Sequence, residues 1–141
     1  MHSPSWYGRA RVQWTGFTSA EEVSANLLAT DCVVLPYREG ASLRHGSLMA
    51  ALAHGLPIVS TEVSSAVRKV EGLFPLPRDG ESARLVLPDD PARLAAAVTE
   101  VMGDGGLRER LAAAALALSC QFRWDTIAQH HLEAYRGLGV G

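Results

Sequence analysis

Between Pro36 and Ser47 the chain reads PYREGASLRHGS, joining the apolar run Cys32–Leu35 to a small-residue stretch that ends at Gly55. The chemistry open to this junction is the holding of an anion and of hydroxyl groups. Glu39 offers a carboxylate that accepts hydrogen bonds from hydroxyls, as on a sugar. Gly40 allows a sharp turn and close approach of a ligand to the backbone. If a helix opens at about Ser42, the amides near Ser42 and Leu43 have no acceptor within it and carry its positive dipole end, which suits a phosphate. Ser42 either caps that helix or donates to a phosphate oxygen. Arg44 and His45 add positive charge beside the phosphates or face solvent. The same residues also fit an ordinary strand-to-helix loop, with Glu39 solvated, Gly40 serving the turn and Ser42 serving as a cap.

Other chemistry-bearing residues give less. Cys32 and Cys120 form no CxxC pair, and Cys32 in a buried strand behaves as a small apolar residue. His130 and His131 are adjacent on a predicted helix, so they face different sides and cannot ligate one metal together. His54 ends a helix, where a cation suits the dipole. Asp89-Asp90 reads as a helix cap rather than a catalytic pair. Ser47 has no GxSxG context, which excludes a hydrolase elbow.

The elements that position the junction follow from periodicity. RVQWTGF (11–17) alternates and reads as a strand. A helix over 18–31 opens with Ser19 as N-cap and Glu22 three residues on, a capping box, with Val23 and Leu27 on its apolar stripe. CVVLPY (32–37) is a continuous apolar run, as in a strand covered on both faces, and PIVST (57–61) reads as another buried strand. Between them a helix spans about Ser42 to His54, stopped by Gly55 and Pro57. Residues 62–83 read as mostly loop with one turn of helix. ARLVLP (83–88) is a fourth strand. Asp89-Asp90-Pro91 caps a helix carrying Leu94, Val98, Val101 and Met102 inward. Two more helices follow, from about Gly106 to Cys120 and from Trp124 onward, the last with Trp124, Ile127, Ala128, His131, Leu132 and Tyr135 at the helical period. The order predicts an α/β fold, a Rossmann-like parallel sheet of about four strands flanked by helices. Residues 1–8 read as a flexible extension, and 9–141 as a single domain.

At 141 residues the chain suits one domain, or one half of a larger enzyme, with a core that needs no disulfides. A net charge of −2 argues against a dedicated nucleic-acid binder, since phosphate-backbone recognition shows as a basic face. The first ten residues, MHSPSWYGRA, lack the apolar core of a signal peptide, so a cytoplasmic location is expected.

The block DCVVLPYREGASLRHGSLMAALAHGLPIVSTE (31–62) resembles the signature region of retaining GT-B glycosyltransferases of family 4, the glycosyl transferases group 1. Those enzymes show an Asp, an apolar strand, a Pro, a Glu-Gly turn, a small-residue helix and a Gly-Leu-Pro-Val-Val-Ala-Thr strand. The counterparts here are Asp31, Val33–Pro36, Glu39-Gly40, Ser47–His54 and Gly55–Thr61. VQWTGF, ARLVLPDDPARLAAAVTEVMGD and the closing GLRERLAAAALALSCQFRWDTIAQHHLEAY resemble the flanking segments, so the likeness covers about residues 11–136.

The resemblance implies part of a GT-B C-terminal, donor-binding domain. The whole enzyme would move a sugar from a nucleotide-diphosphate sugar to an acceptor with retention, without a catalytic metal or other cofactor. The isolated chain would then be inactive. In the family's E-x7-E motif the first Glu faces the donor hexose and the second binds the nucleotide ribose. Glu39 matches the first, and Ser47 stands in place of the second. Gly40, Ala41, Ser42 and Leu43 match the loop over the diphosphate, with Arg44 beside it. The implied partners are a nucleotide sugar and an N-terminal acceptor domain. The family's basic pair on the diphosphate has no clear counterpart, and Arg9 and Arg11 are poor substitutes. An exposed sheet edge offers pairing to a second copy. The alternative is a non-catalytic α/β interaction module derived from a glycosyltransferase.

Overall fold

In a computed structural model of the chain, residues 12–71 and 74–139 are described. The proposed extension at 1–8, together with Arg9 and Arg11, lies outside them. Among the described residues, six α-helices and three strands follow in the order α1 (Ala20–Leu28), β1 (Val33–Leu35), α2 (Gly46–Ala53), β2 (Ile58–Thr61), α3 (Ser65–Glu71), β3 (Arg84–Val86), α4 (Pro91–Gly103), α5 (Gly105–Ser119) and α6 (Trp124–Gly137), with a 3-10 turn at Cys120–Phe122.

The strands form one parallel sheet in the order β1-β2-β3, with Val33 opposite Ile58 and Val59 opposite Arg84. Every residue of β2 is buried, as in a strand covered on both faces, and the two polar ones, Ser60 and Thr61, have hydrogen-bond partners. On one face Ile58 and Leu85 pack with Leu48, Ala51 and Leu52 of α2 and Ala115 of α5. On the other, Val59 and Val86 pack with Ala97 and Val101 of α4 and Leu111 of α5.

Local signals set the helix starts. The Ser19 hydroxyl accepts the Glu22 N–H at 3.2 Å and the Glu22 carboxylate accepts the Ser19 N–H at 3.3 Å, so the capping box forms. Asp90 caps α4 by accepting the Arg93 N–H, with Pro91 in the first turn. Asp104 caps α5 in the same way through the Leu107 N–H. The His54 ring lies at the end of α2, with Nδ1 2.7 Å from the Ala50 carbonyl and Nε2 2.8 Å from the Ser24 hydroxyl of α1.

Three expectations are corrected. Residues 12–17 form no strand, and Val12, Trp14 and Phe17 are exposed. A strand needs a neighbouring backbone to pair with. β1 is hydrogen-bonded to β2 on one side and to no strand on the other among the described residues, so the sheet has three strands rather than about four. α2 starts at Gly46, not at Ser42, because residues 40–45 are taken up by turn hydrogen bonds described below. The 62–83 stretch holds two turns of helix in α3, longer than the single turn expected.

α6 keeps its helical period but buries none of its residues; Trp124 is 85% exposed, and Leu132 and Tyr135 share the outward face. Among the described residues no helix is long and apolar enough to cross a membrane.

Candidate functional site

The junction is built from the carboxyl ends of β1 and β2. Two buried hydroxyls of β2 hold the chain leaving β1: Ser60 donates to the Leu35 carbonyl at 2.6 Å and Thr61 donates to the Tyr37 carbonyl. Gly40 then turns at φ +89° against the connection that follows β2. A Cβ at that position would overlap the backbone of Glu62 and Val63, so only glycine fits. The Ala41 N–H donates to the Thr61 carbonyl at 2.9 Å, and the Ser42 N–H donates to the Gly40 carbonyl at 2.8 Å.

These contacts correct the expectation of unpartnered amides. The amides of Ala41 and Ser42 are engaged by backbone. That of Leu43 donates to a carboxylate, Glu71 Oε2, at 3.0 Å. The Ser42 hydroxyl donates to Glu71 Oε1 at 2.8 Å, and Arg44 Nε lies 3.3 Å from the same oxygen. Glu71 closes α3 and is 6% exposed, so this is a buried carboxylate surrounded by donors, as a buried charge requires. The junction does hold an anion, and that anion is the protein's own side chain.

The other expected residues sit on the outer side of the loop. Glu39 is exposed, and its Oε2 lies 3.6 Å from His45 Nε2, too far for a hydrogen bond. His45 Nε2 is buried and finds no hydrogen-bond partner among the described residues. The His45 ring stacks on Tyr37 with centroids 3.7 Å apart and planes 6° apart. The Tyr37 hydroxyl meets the Ser47 hydroxyl at 2.5 Å, in the first turn of α2. The loop therefore brings Glu39, His45, Tyr37 and Ser47 into one cluster, and Ser42, Leu43 and Arg44 into a second around Glu71. A shallow depression of about 200 Å³ opens beside them at the strand ends, between Tyr37, Arg38, Thr61, Leu87 and Asp89. Open α/β sheets hold ligands at this end.

A larger depression, about 350 Å³, runs between β3 and α4, lined by Asp79, Arg84, Arg93 and Glu100 and reaching Glu62 at the junction. Its chemistry is already satisfied. Arg84 spans Asp79 at 2.7 Å and Glu100 at 2.8 Å, and hydrogen bonds to Glu100 and then Asp79 hold its guanidinium above its ordinary pKa. Burial would raise the Asp79 pKa, but the Leu85 N–H and Arg84 outweigh it and hold the carboxyl below its ordinary value. The cluster fixes the loop before β3, where Asp79 and Ala83 bridge.

Glu71 and Tyr37 were not singled out from the sequence, and His45, read as adding charge beside the phosphates or facing solvent, instead stacks on Tyr37 with Nε2 buried. Glu71 sits in the segment read as loop, 28 residues from the amide it binds, and no local spacing connects the two. Tyr37 flanks the Glu-Gly turn, and that position is the one signal that was available.

The comparisons with known proteins agree with this geometry at the level of family. The family model described as Glycosyl transferases group 1 matches residues 3–104. A "D-inositol 3-phosphate glycosyltransferase" of a Nocardioides species is 34% identical over 119 residues, 84% of this chain and 24% of that protein. The protein of the same description from Acidothermus cellulolyticus is 39% identical over 84 residues, 60% of this chain and 17% of that protein. A "Phosphatidyl-myo-inositol mannosyltransferase" of Mycobacterium leprae is 33% identical over 88 residues, 62% of this chain and 22% of that protein. The chain thus spans at most about a quarter of the length of these curated relatives. A parallel α/β sheet whose strand ends carry the Glu39-Gly40 turn, together with a family match over most of the chain, places this protein in the glycosyl transferases group 1 family.

Proposed function

We propose that this chain carries donor-binding machinery of a glycosyltransferase, and that the whole enzyme moves a sugar from a nucleotide-diphosphate sugar to an acceptor with retention of configuration. The observation that carries the proposal is the convergence of the Leu43 N–H, the Ser42 hydroxyl and Arg44 on one carboxylate, since the same donor set suits a phosphate oxygen. Gly40 and Ala41 pin the loop to the end of β2. Glu39, exposed beside them, accepts hydrogen bonds from the donor sugar and orients it. Ser47 offers the nucleotide ribose a hydroxyl where a carboxylate is the family's usual group. Chemistry of this kind rests on holding the leaving diphosphate while its charge grows, so fixed amide and guanidinium donors supply the catalysis. The proposal assigns no metal and no other cofactor. Acceptor groups come from an N-terminal domain, so the chain alone binds donor without transferring sugar.

A non-catalytic interaction module is the second reading, and the partners already held by the amides of Ala41 and Ser42 favour it. Calorimetric titration with UDP, GDP and their sugars separates the two. The donor-site proposal expects saturable one-to-one binding that a nucleoside without phosphates does not reproduce. Absence of binding at millimolar ligand overturns it in favour of the interaction module.

A further inference from the structure

Glu71 has no role in the proposed donor chemistry, yet it holds the donors that chemistry needs. Its carboxylate takes the Ser42 hydroxyl at 2.8 Å and the Leu43 N–H at 3.0 Å, with Arg44 Nε at 3.3 Å. It is also the one buried residue of α3. Among the described residues α3 takes no part in the main packing between helices and strands, so its hold on the fold runs largely through this carboxylate. A phosphate cannot reach the Leu43 amide or the Ser42 hydroxyl while the carboxylate lies on them, and two anions at one donor set repel each other.

We infer that Glu71 is an internal stand-in for the donor's phosphate: it keeps the loop in its binding shape when empty, and it is displaced together with α3 when a diphosphate enters. This rests on the donor-site reading above and adds a conformational step to it. The exchange is one anion for another on the same donors, so the loop keeps its hydrogen bonds in both states and only α3 changes place. The step also makes donor binding report on α3, whose outer face is otherwise open to solvent.

The test uses pyrophosphate and GDP with the wild-type chain and with Glu71→Gln, which keeps the shape and removes the charge. Hydrogen bonds to an ionised acceptor are roughly twice as strong as neutral ones, so the glutamine competes less and the variant binds about five- to tenfold tighter. In the wild-type chain, saturating pyrophosphate accelerates amide exchange of residues 65–71 while residues 58–61 of β2 stay protected. This second readout needs no variant and decides alone if Glu71→Gln does not fold. Binding by the wild-type chain with unchanged α3 exchange, or with a folded Glu71→Gln that binds equally or less tightly, overturns the displacement and leaves the donor site standing. No binding of either ligand to either protein overturns both.

Discussion

Gly40→Ala tests whether the loop is held as described, and its cost divides into two parts. The residue sits at φ +89°, where a side chain strains the backbone by roughly 1–3 kcal/mol. The added methyl also meets the Glu62 carbonyl and the Val63 Cα, backbone atoms that cannot swing aside as a side-chain tip can. Forcing them apart costs roughly another 1–3 kcal/mol, as overpacking does in a well-filled interior. The variant should therefore lose about 2–6 kcal/mol, which for a chain of this size lowers Tm by roughly 3–4 °C per kcal/mol. Gly80→Ala is the matched control. Gly80 also lies at positive φ, +73°, but an added Cβ meets nothing within 4 Å, so only the strain remains. Urea unfolding followed by circular dichroism gives both values with m as a check on two-state behaviour. If Gly40→Ala costs no more than Gly80→Ala, within roughly 0.5 kcal/mol, the loop does not rest on the end of β2 and the donor cluster is not fixed as argued.

Two further outcomes follow from the same contacts. The Asp79 carboxyl titrates below its unfolded value of 3.8, so the stability it contributes is present above that pH and is lost as pH falls through the lower folded value. Acid unfolding between about pH 5 and pH 2 should therefore be shallower in Asp79→Asn than in the wild-type chain, and equal slopes would count against the Arg84 cluster. Burial pushes the Cys32 thiol up, partly offset by Arg108, whereas Cys120 is exposed, so at about pH 8 iodoacetamide should label Cys120 first. Equal labelling rates would show that the approach to β1 is open.

What was legible in the sequence is what rests on local rules. The capping box at Ser19 and Glu22 and the Asp90-Pro91 start of α4 each depend on a few neighbouring residues and form as read; β1 and β2 form where read, but only β2 is covered on both faces as expected, since no residue of β1 is buried and Val34 is exposed. The junction was legible as a place, the strand end followed by a Glu-Gly turn. Its hydrogen bonding was not, because the partners of residues 41–44 come from Thr61 and Glu71, which the fold brings in from distant positions. The strand read over 11–17 fails for the matching reason. Alternation shows that a segment can be a strand, while pairing depends on another backbone that periodicity does not supply. The α6 stripe of Trp124, Leu132 and Tyr135 shows the same division: its period was readable, but not what it packs against.

The most direct measurement of the central claim is the amide spectrum of the 15N-labelled chain titrated with GDP and UDP, with guanosine and uridine as controls. The account predicts that diphosphates move the amides of residues 39–47, with Leu43 and Arg44 largest, and that the bare nucleosides leave Leu43 in place. Shifts spread over the α6 face or the β3 edge, or none at millimolar diphosphate, would contradict it.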